Sequence, residues 1–354
     1  MSAEGAGRDF TAVVEQHRAE LHAHCYRMLG SVHDAEDALQ ETLIRAWRGI
    51  AGLREQDSAR AWLYSIATNV CLTELTRRKK RMLPHDFSEA AQPDTPPGTP
   101  ITESTWIEPY PDEAVGLPAG KASPESRYEQ HEAIELAFIA ALQHLNANQR
   151  AVLILHEVMG FSGQETADML ATSVPSVNSA LQRARGAVAD RIPARSQQRT
   201  LRTLGDRGLH NLVDRYVQAW ERCDIDAFAN LLVRDASFAM PPLATWYTTR
   251  DSVVTWARQF SLNGEWQWKT VLVQANAQPA LGFYSWDAES TAFLPFALNV
   301  LSLRGDLVSD VTAFIVRAIG APNPDAYIRF PDRPMNTRQL AGTFERFGLP
   351  GQLN

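Results

Sequence analysis

The chain has 354 residues, 45% hydrophobic and 21% charged, with a net charge of −7, and that length calls for two or three domains. No apolar run reaches the ~20 residues of a bilayer-spanning helix, and the opening MSAEGAGRDF lacks the basic and apolar parts of an export signal. Cys25, Cys71 and Cys223 lie too far apart for a CxxC pair, so a reducing, cytoplasmic setting without a membrane is expected.

The acid excess is local. Residues 84–126 hold one lysine against eight acidic residues, whereas basic clusters sit at 77–81 and 183–202. With so little positive charge overall, free DNA would be held weakly, because counterion release supplies much of that affinity. A partner that carries the nucleic acid is expected.

In chain order, residues 8–83 read as helices. Val13, Val14, His17, Leu21 and Cys25 mark one apolar stripe. Ala35, Leu39, Leu43, Ala46 and Trp47 mark a second, which follows the acidic turn HDAED. A third helix is predicted over 58–81, with Trp62, Ile66, Val70 and Leu75 near one side. His17, His22, His24 and Cys25 have no tetrahedral zinc spacing and read as helix surface and core. From Pro84 to Pro124 nine prolines break helix and strand alike. The segment reads as a linker, although 106–111 (WIEPYP) is too apolar for a pure spacer.

A second helical block spans 125–195. Asn146 and Gln149 predict a capping box for a helix over 147–158. Residues 163–185, GQETADMLATSVPSVNSALQRAR, read as helix, turn and helix, with Pro175 in the opening turn of the second helix. Val174, Val177 and Leu181 share one face. Ser176, Asn178, Ser179, Gln182, Arg183 and Arg185 fall elsewhere, a polar set suited to the DNA major groove. An ordinary helical hairpin is the plain alternative.

Beyond the basic joint 195–202 the pattern becomes α+β. Leu209, Leu212, Val213, Tyr216, Val217 and Trp220 give an amphipathic helix, and strands are predicted over 266–275, 280–286, 293–303 and 307–316. Arg304-Gly305-Asp306 reads as a hairpin turn. The many aromatic residues here suit either a packed core or a ligand pocket with Asn299, Asp310 or Arg317 as polar anchors. Asp310 as a general base has no His partner at a telling spacing, so catalysis and cofactors are not expected.

Three segments, AEDALQETLIRAWR (35–48), AWLYSIATNVCLTELTRR (61–78) and LNANQRAVLILHEVMGFSGQETADML…VNSALQRAR (145–185), together resemble extracytoplasmic-function sigma factors of bacterial RNA polymerase. The C-terminal part resembles a SnoaL-type (NTF2-like) cone fused to one branch of that family, a branch that also tends to carry a linker like 106–111. The resemblance implies a multidomain fold: two all-α domains plus an α+β cone. Their expected extents are sigma domain two (1–83), linker (84–126), sigma domain four with its helix-turn-helix (127–198), cone (205–322) and tail (323–354). It implies no catalytic or metal site. Its expected partners are core RNA polymerase, through the β′ clamp coiled coil and the β flap, and promoter DNA.

By the same resemblance, Asp37, Gln40, Glu41 and Arg45 would dock on the clamp. Trp62, Tyr64, Asn69, Thr73, Arg77 and Arg78 would bind the minus-ten element, with Lys79, Lys80 and Arg81 also near phosphates. Ser176, Asn178, Ser179, Gln182, Arg183 and Arg185 would bind the minus-thirty-five element. Asn178 and Ala180 stand where many relatives carry Arg, and Ser65 takes a common Arg position in domain two. The cone is expected to regulate, through a contact with the sigma domains in which Trp106–Tyr110 and the tail take part. The alternatives are a stand-alone helix-turn-helix regulator with an effector-binding cone, and an enzyme of the cyclase or isomerase kind.

Overall fold

A computed structural model of the chain describes residues 3–50, 59–98, 101, 106–114, 129–316 and 344–354, with the backbone alone over 3–13 and at 114. Arg317 and most of the tail lie outside the described residues. The chain divides into two compact units, one of residues 1–81 with 112–194, the other of 82–111 with 195–354.

The first unit is helical. Helices α1 (Ala3–Leu29), α2 (Val32–Gly49) and α3 (Ala59–Arg77) pack on one another. Gly30, at φ +70, makes the sharp turn between α1 and α2 that a side chain would resist. The Ser31 hydroxyl then caps α2 by accepting from the Asp34 amide at 3.1 Å. Leu21, Cys25, Leu63, Ala67 and Val70 are buried where these helices meet. Full burial stabilises each large aliphatic side chain by about 1.5–3 kcal/mol.

Helix α4 (Leu136–Gln143) leads to α5 (Ala147–Leu153), which widens into a π turn over Ile154–Val158. The expected helix over 147–158 is thus one α segment and one π turn. The Asn146–Gln149 capping box is present, and a second box, Ser162 with Glu165, starts α6. Helices α6 (Gly163–Met169) and α7 (Val174–Ala189) form the helix-turn-helix. Ala171 adopts φ +48 in the turn, Ser173 caps α7, and Val177, Ala180, Leu181, Ala184 and Val188 are buried.

Two buried arginines join the halves of this unit. Arg27, 2% exposed, donates from Nε to the Ala133 carbonyl at 3.0 Å. Arg150 donates to the Met28 carbonyl at the end of α1, to Gln143 Oε1 at 2.7 Å and to the Leu145 carbonyl at 3.3 Å. Burial lowers the Arg150 pKa to about 10, against the Cys71 thiol that raises it, and the group stays cationic at neutral pH.

The second unit is a cone. Helix α8 (Gln197–Glu221), kinked at Gly205, and the short α9 (Ile225–Ala229) precede β1 (Leu232–Ala239) and β2 (Trp246–Thr248). Helix α10 (Arg250–Phe260) is followed by β3 (Trp268–Ala275), β4 (Gln278–Asp287), β5 (Ala292–Arg304) and β6 (Leu307–Ile315). The strand order is β2-β1-β6-β5-β4-β3, antiparallel except for β1 beside β6. Gly305, at φ +67, turns β5 into β6 as the sequence predicted. The four predicted strands are present; β1, β2 and α10 add to them, α10 with Val253, Trp256, Ala257 and Phe260 at the apolar spacing of an amphipathic helix.

Residues 82–111 pack on this cone as a strap. Trp246 Nε1 donates to the Ser88 carbonyl at 2.9 Å, the Tyr247 hydroxyl to the Thr95 carbonyl at 2.6 Å, and the Tyr110 amide to Asn276 Oδ1 at 2.9 Å. Trp106 is buried beside Phe87, with ring centroids 5.4 Å apart. The end of the chain also packs on the cone: Phe344 lies edge-on to Tyr284, and Leu349 approaches Gly282 so closely that a Cβ there would meet it at 2.6 Å.

Candidate polymerase and nucleic-acid interface

Helix α2 turns two faces to different surroundings. Ala35, Ala38, Leu39, Thr42 and Ala46 are buried. Asp37, Gln40 and Arg45 are exposed and Glu41 half-buried, with Arg45 Nε donating to Glu41 Oε1 at 2.7 Å. Ile44 and Trp47 share this outer surface at 46% and 53% exposure. Trp47 was expected on the apolar stripe. It instead adds an exposed apolar ring to the charged surface of α2.

Helix α3 carries Trp62, Ile66, Asn69 and Thr73 at spacings of four, three and four, one face of a helix. Trp62 and Ile66 are half-buried and Asn69 and Thr73 exposed, as is Arg77 beyond them. Tyr64, two residues from Trp62, points the other way. It is fully buried, its hydroxyl donates to Glu20 Oε2 at 3.2 Å, and its ring meets Phe161 and His24 edge-on. Its expected place as a stacking surface is therefore corrected: the ring belongs to the core.

The basic end of α3 divides as well. Arg78 and the buried Arg81 both pair with Asp34, and Arg78 also donates to Glu74 at 3.1 Å. These carboxylates fix Arg78 to the protein, so its charge is already matched. Arg77 is far more exposed, at 70% of its side chain, and has a loose pair with Glu74 at 3.6 Å.

The α3 face is partly covered by its own unit. Ser65 Oγ and Asn69 Nδ2 each donate to the Met169 carbonyl at 3.3 Å, at the end of α6. Asn69 also donates to the Ser65 carbonyl at 2.8 Å. Arg60 donates to the Met159 carbonyl at 3.2 Å and lies over the Phe161 ring at 4.6 Å. The spacing in the sequence carried no sign of this contact, which joins residues a hundred positions apart.

On α7, all six predicted residues, Ser176, Asn178, Ser179, Gln182, Arg183 and Arg185, are exposed. Arg185 pairs with Glu157, and the Ser176 hydroxyl lies 2.9 Å from that of Ser173. Ala180 is buried, so the outward face of α7 does not include it. Among the described residues no helix is long and apolar enough to cross a membrane.

A helix-turn-helix with an open polar face, beside a helix bearing Trp, Asn, Thr and Arg in a row, defines a DNA-binding protein of the transcription machinery. Two family models agree: Sigma-70 region 2 matches residues 13–81 and Sigma-70 region 4 matches 135–188. The ECF RNA polymerase sigma factor SigG of Mycobacterium tuberculosis is 39% identical over 325 residues, covering 88% of this chain and 85% of SigG. SigE of Mycolicibacterium smegmatis is 27% identical over 186 residues, 52% of this chain and 62% of SigE. The crystal structure of the M. tuberculosis sigma factor SigJ superimposes with a TM-score of 0.54 at 20% identity, covering 92% of this chain and 99% of SigJ.

The chain belongs to the extracytoplasmic-function sigma factors, with the α+β cone as its C-terminal part. Members of this non-enzymatic family bind core RNA polymerase and promoter DNA.

Proposed function

We propose that the chain joins core RNA polymerase in the cytoplasm, reads the minus-thirty-five element with α7 and opens the minus-ten element with α3. The observation that carries this is the row Trp62, Asn69, Thr73 and Arg77 along α3. Opening a promoter requires bases to leave the stack, at a cost of a few kcal/mol each. An indole can repay part of it by stacking, at about 1–3 kcal/mol per base. The Asn69 amide can read a base edge, and Arg77 can hold a phosphate. Asp37, Gln40, Glu41 and Arg45, with Ile44 and Trp47 between them, suit the β′ clamp coiled coil, and the helix-turn-helix domain the β flap.

Reading both elements requires the helical unit to open. Elements ~25 base pairs apart lie ~85 Å apart on B-DNA, whereas α1, the longest helix of the unit at 27 residues, spans only ~40 Å. The Ser65 and Asn69 bonds to Met169 must therefore break before Asn69 meets a base. Polymerase pull-down with run-off transcription on genomic fragments tests the reading. Transcripts that need both the chain and core polymerase are expected, and duplex promoter binding without polymerase would favour a stand-alone regulator.

The cone is assigned a regulatory role without catalysis. Its fusion to the sigma unit through a strap with buried Trp106 and Tyr110 supports this. Transcription by a chain cut after Ala194 is expected to differ from that of the full chain at some promoters. Equal activity at all promoters tested would dispose of the regulatory role.

A further inference from the structure

The helical unit holds a cavity of about 380 Å³ where the segment after α3 meets the turn from α4 to α5. That volume lies in the range of small-molecule sites and is far above the ~30 Å³ share of one water. Arg78, Lys79, Lys80 and Arg81 line it from the first segment, His144 and Arg150 from the second. Asp34 is the one carboxylate among the described lining residues. It already meets two guanidinium groups, those of Arg78 and Arg81. Glu74, outside the lining, takes a share of the Arg78 charge at 3.1 Å.

Two groups of this cavity call for an anion. Arg150, 3% exposed, donates to the Met28, Gln143 and Leu145 carbonyls and to Gln143 Oε1, all of them neutral acceptors. No carboxylate meets it among the described residues, and its Nε is buried without a partner. A buried cation lacking a counter-charge is costly. His144 stands between two cations, with Nδ1 3.0 Å from Lys80 Nζ and Nε2 3.2 Å from Arg191 Nη1. A neutral imidazole has one N–H and one lone pair, so it accepts from only one of them, and a protonated ring accepts from neither. At least one donor therefore faces another donor. An anionic oxygen between them removes that conflict.

We propose that this cavity is a binding site for a small anion of several linked phosphates, an inorganic or nucleotide polyphosphate. Linked phosphates, rather than one tetrahedral ion, suit cations that come from three stretches of chain: 78–81, 144–150 and Arg191. Charge-assisted bonds from Lys80 and Arg191 would take the first phosphate, with His144 turned to donate beside them. The anion would tie the segment after α3 to the α4–α5 turn and to the end of α7, and so hold the helical unit together. That it would thereby oppose promoter opening rests on the function proposed above; binding itself does not. The backbone of DNA offers the same phosphate chemistry, and competition separates the two sources.

The test titrates tripolyphosphate and sulfate into the full-length chain by calorimetry at one fixed ionic strength. Saturable binding of one tripolyphosphate per chain is expected, at least tenfold tighter than sulfate. Lys80→Gln and Arg191→Gln, at exposed positions that tolerate the change, should each weaken it at least fivefold. Arg18→Gln removes a cation outside the lining and should leave the affinity as it is. A short duplex DNA added in excess should not displace the tripolyphosphate. Absence of saturable binding, sulfate bound as tightly, or the same loss in all three variants would overturn the proposal. Displacement by the duplex would overturn it too, by assigning the cavity to the DNA backbone.

Discussion

At the scale of single residues, Trp62 and Tyr64 show what a sequence gives and withholds. Both are aromatic residues on one helix, and composition treats them alike. Spacing does not: Trp62 shares a face with Ile66, Asn69 and Thr73, whereas Tyr64 shares one with Thr68 and Cys71, all three buried. Tyr64→Phe is accordingly expected to cost about 1–2 kcal/mol of stability through the lost bond to Glu20, measured by urea denaturation, with promoter opening by the holoenzyme unchanged. His24 makes a second prediction. Its Nε2 lies 2.9 Å from Thr68 Oγ1, and burial, followed by the Arg27 and Arg60 charges, lowers its pKa to about 3. Folded His24 is thus neutral, while the unfolded chain binds a proton below about pH 6.5. Stability falls as pH drops from 6.5 toward 3, by about 2 kcal/mol at pH 5. Denaturation at pH 7.5 and pH 5 should show this loss and a smaller one in His24→Gln.

At the scale of elements, helices α2, α6 and α7 were legible because their apolar spacing and caps agree, whereas α3 was legible as a helix but its buried face, Leu63, Tyr64, Ala67 and Cys71, is not the stripe read from Trp62, Ile66 and Leu75. The exposure of Ser176, Asn178, Ser179, Gln182, Arg183 and Arg185 on α7 was legible from the same agreement of spacing and cap. Elements were missed where the signal was mixed. Strand β1 reads LVRDASFA, with Arg234 and Asp235 interrupting the alternation, and Arg304 of β5 pairs with Asp235 at 2.8 Å only once the sheet forms. The exposed Trp47 misled by its size, since the packing partners that decide its place lie elsewhere in the chain. Trp47→Ser is expected to change stability by less than about 1 kcal/mol, as surface positions do, yet to weaken core polymerase binding in a competition assay. Within the cone, the closeness of Leu349 to Gly282 predicts that Gly282→Val displaces residues 344–354. Faster proteolysis of that end, with the cone's circular dichroism retained, is the expected result.

At the scale of the whole molecule, the division into two units was only partly visible. The proline-rich stretch reads as a linker with an apolar piece at 106–111, and only that piece hinted at docking; proline content alone cannot tell a free chain from one held through Trp106, Tyr110 and backbone bonds. The packing of α3 against α6 within the helical unit rests on contacts between residues far apart in sequence. On the proposed function it is the contact that promoter binding would undo. Ser65→Ala, which removes a bond made to the Met169 carbonyl at 3.3 Å, is expected to loosen that contact. Open complexes of the holoenzyme should then form at least as fast as with the wild-type chain. Slower formation would show that opening is not what this contact holds back.

The most direct measurement is promoter melting by holoenzyme carrying Trp62→Ala together with Asn69→Ala, followed with a fluorescent base in the nontemplate strand. Losing a stacking surface worth about 1–3 kcal/mol and an amide contact predicts at least a tenfold drop in open complexes, with core polymerase binding equal to wild type. Open complexes at the wild-type level would contradict the assignment of α3 as the helix that traps unpaired bases.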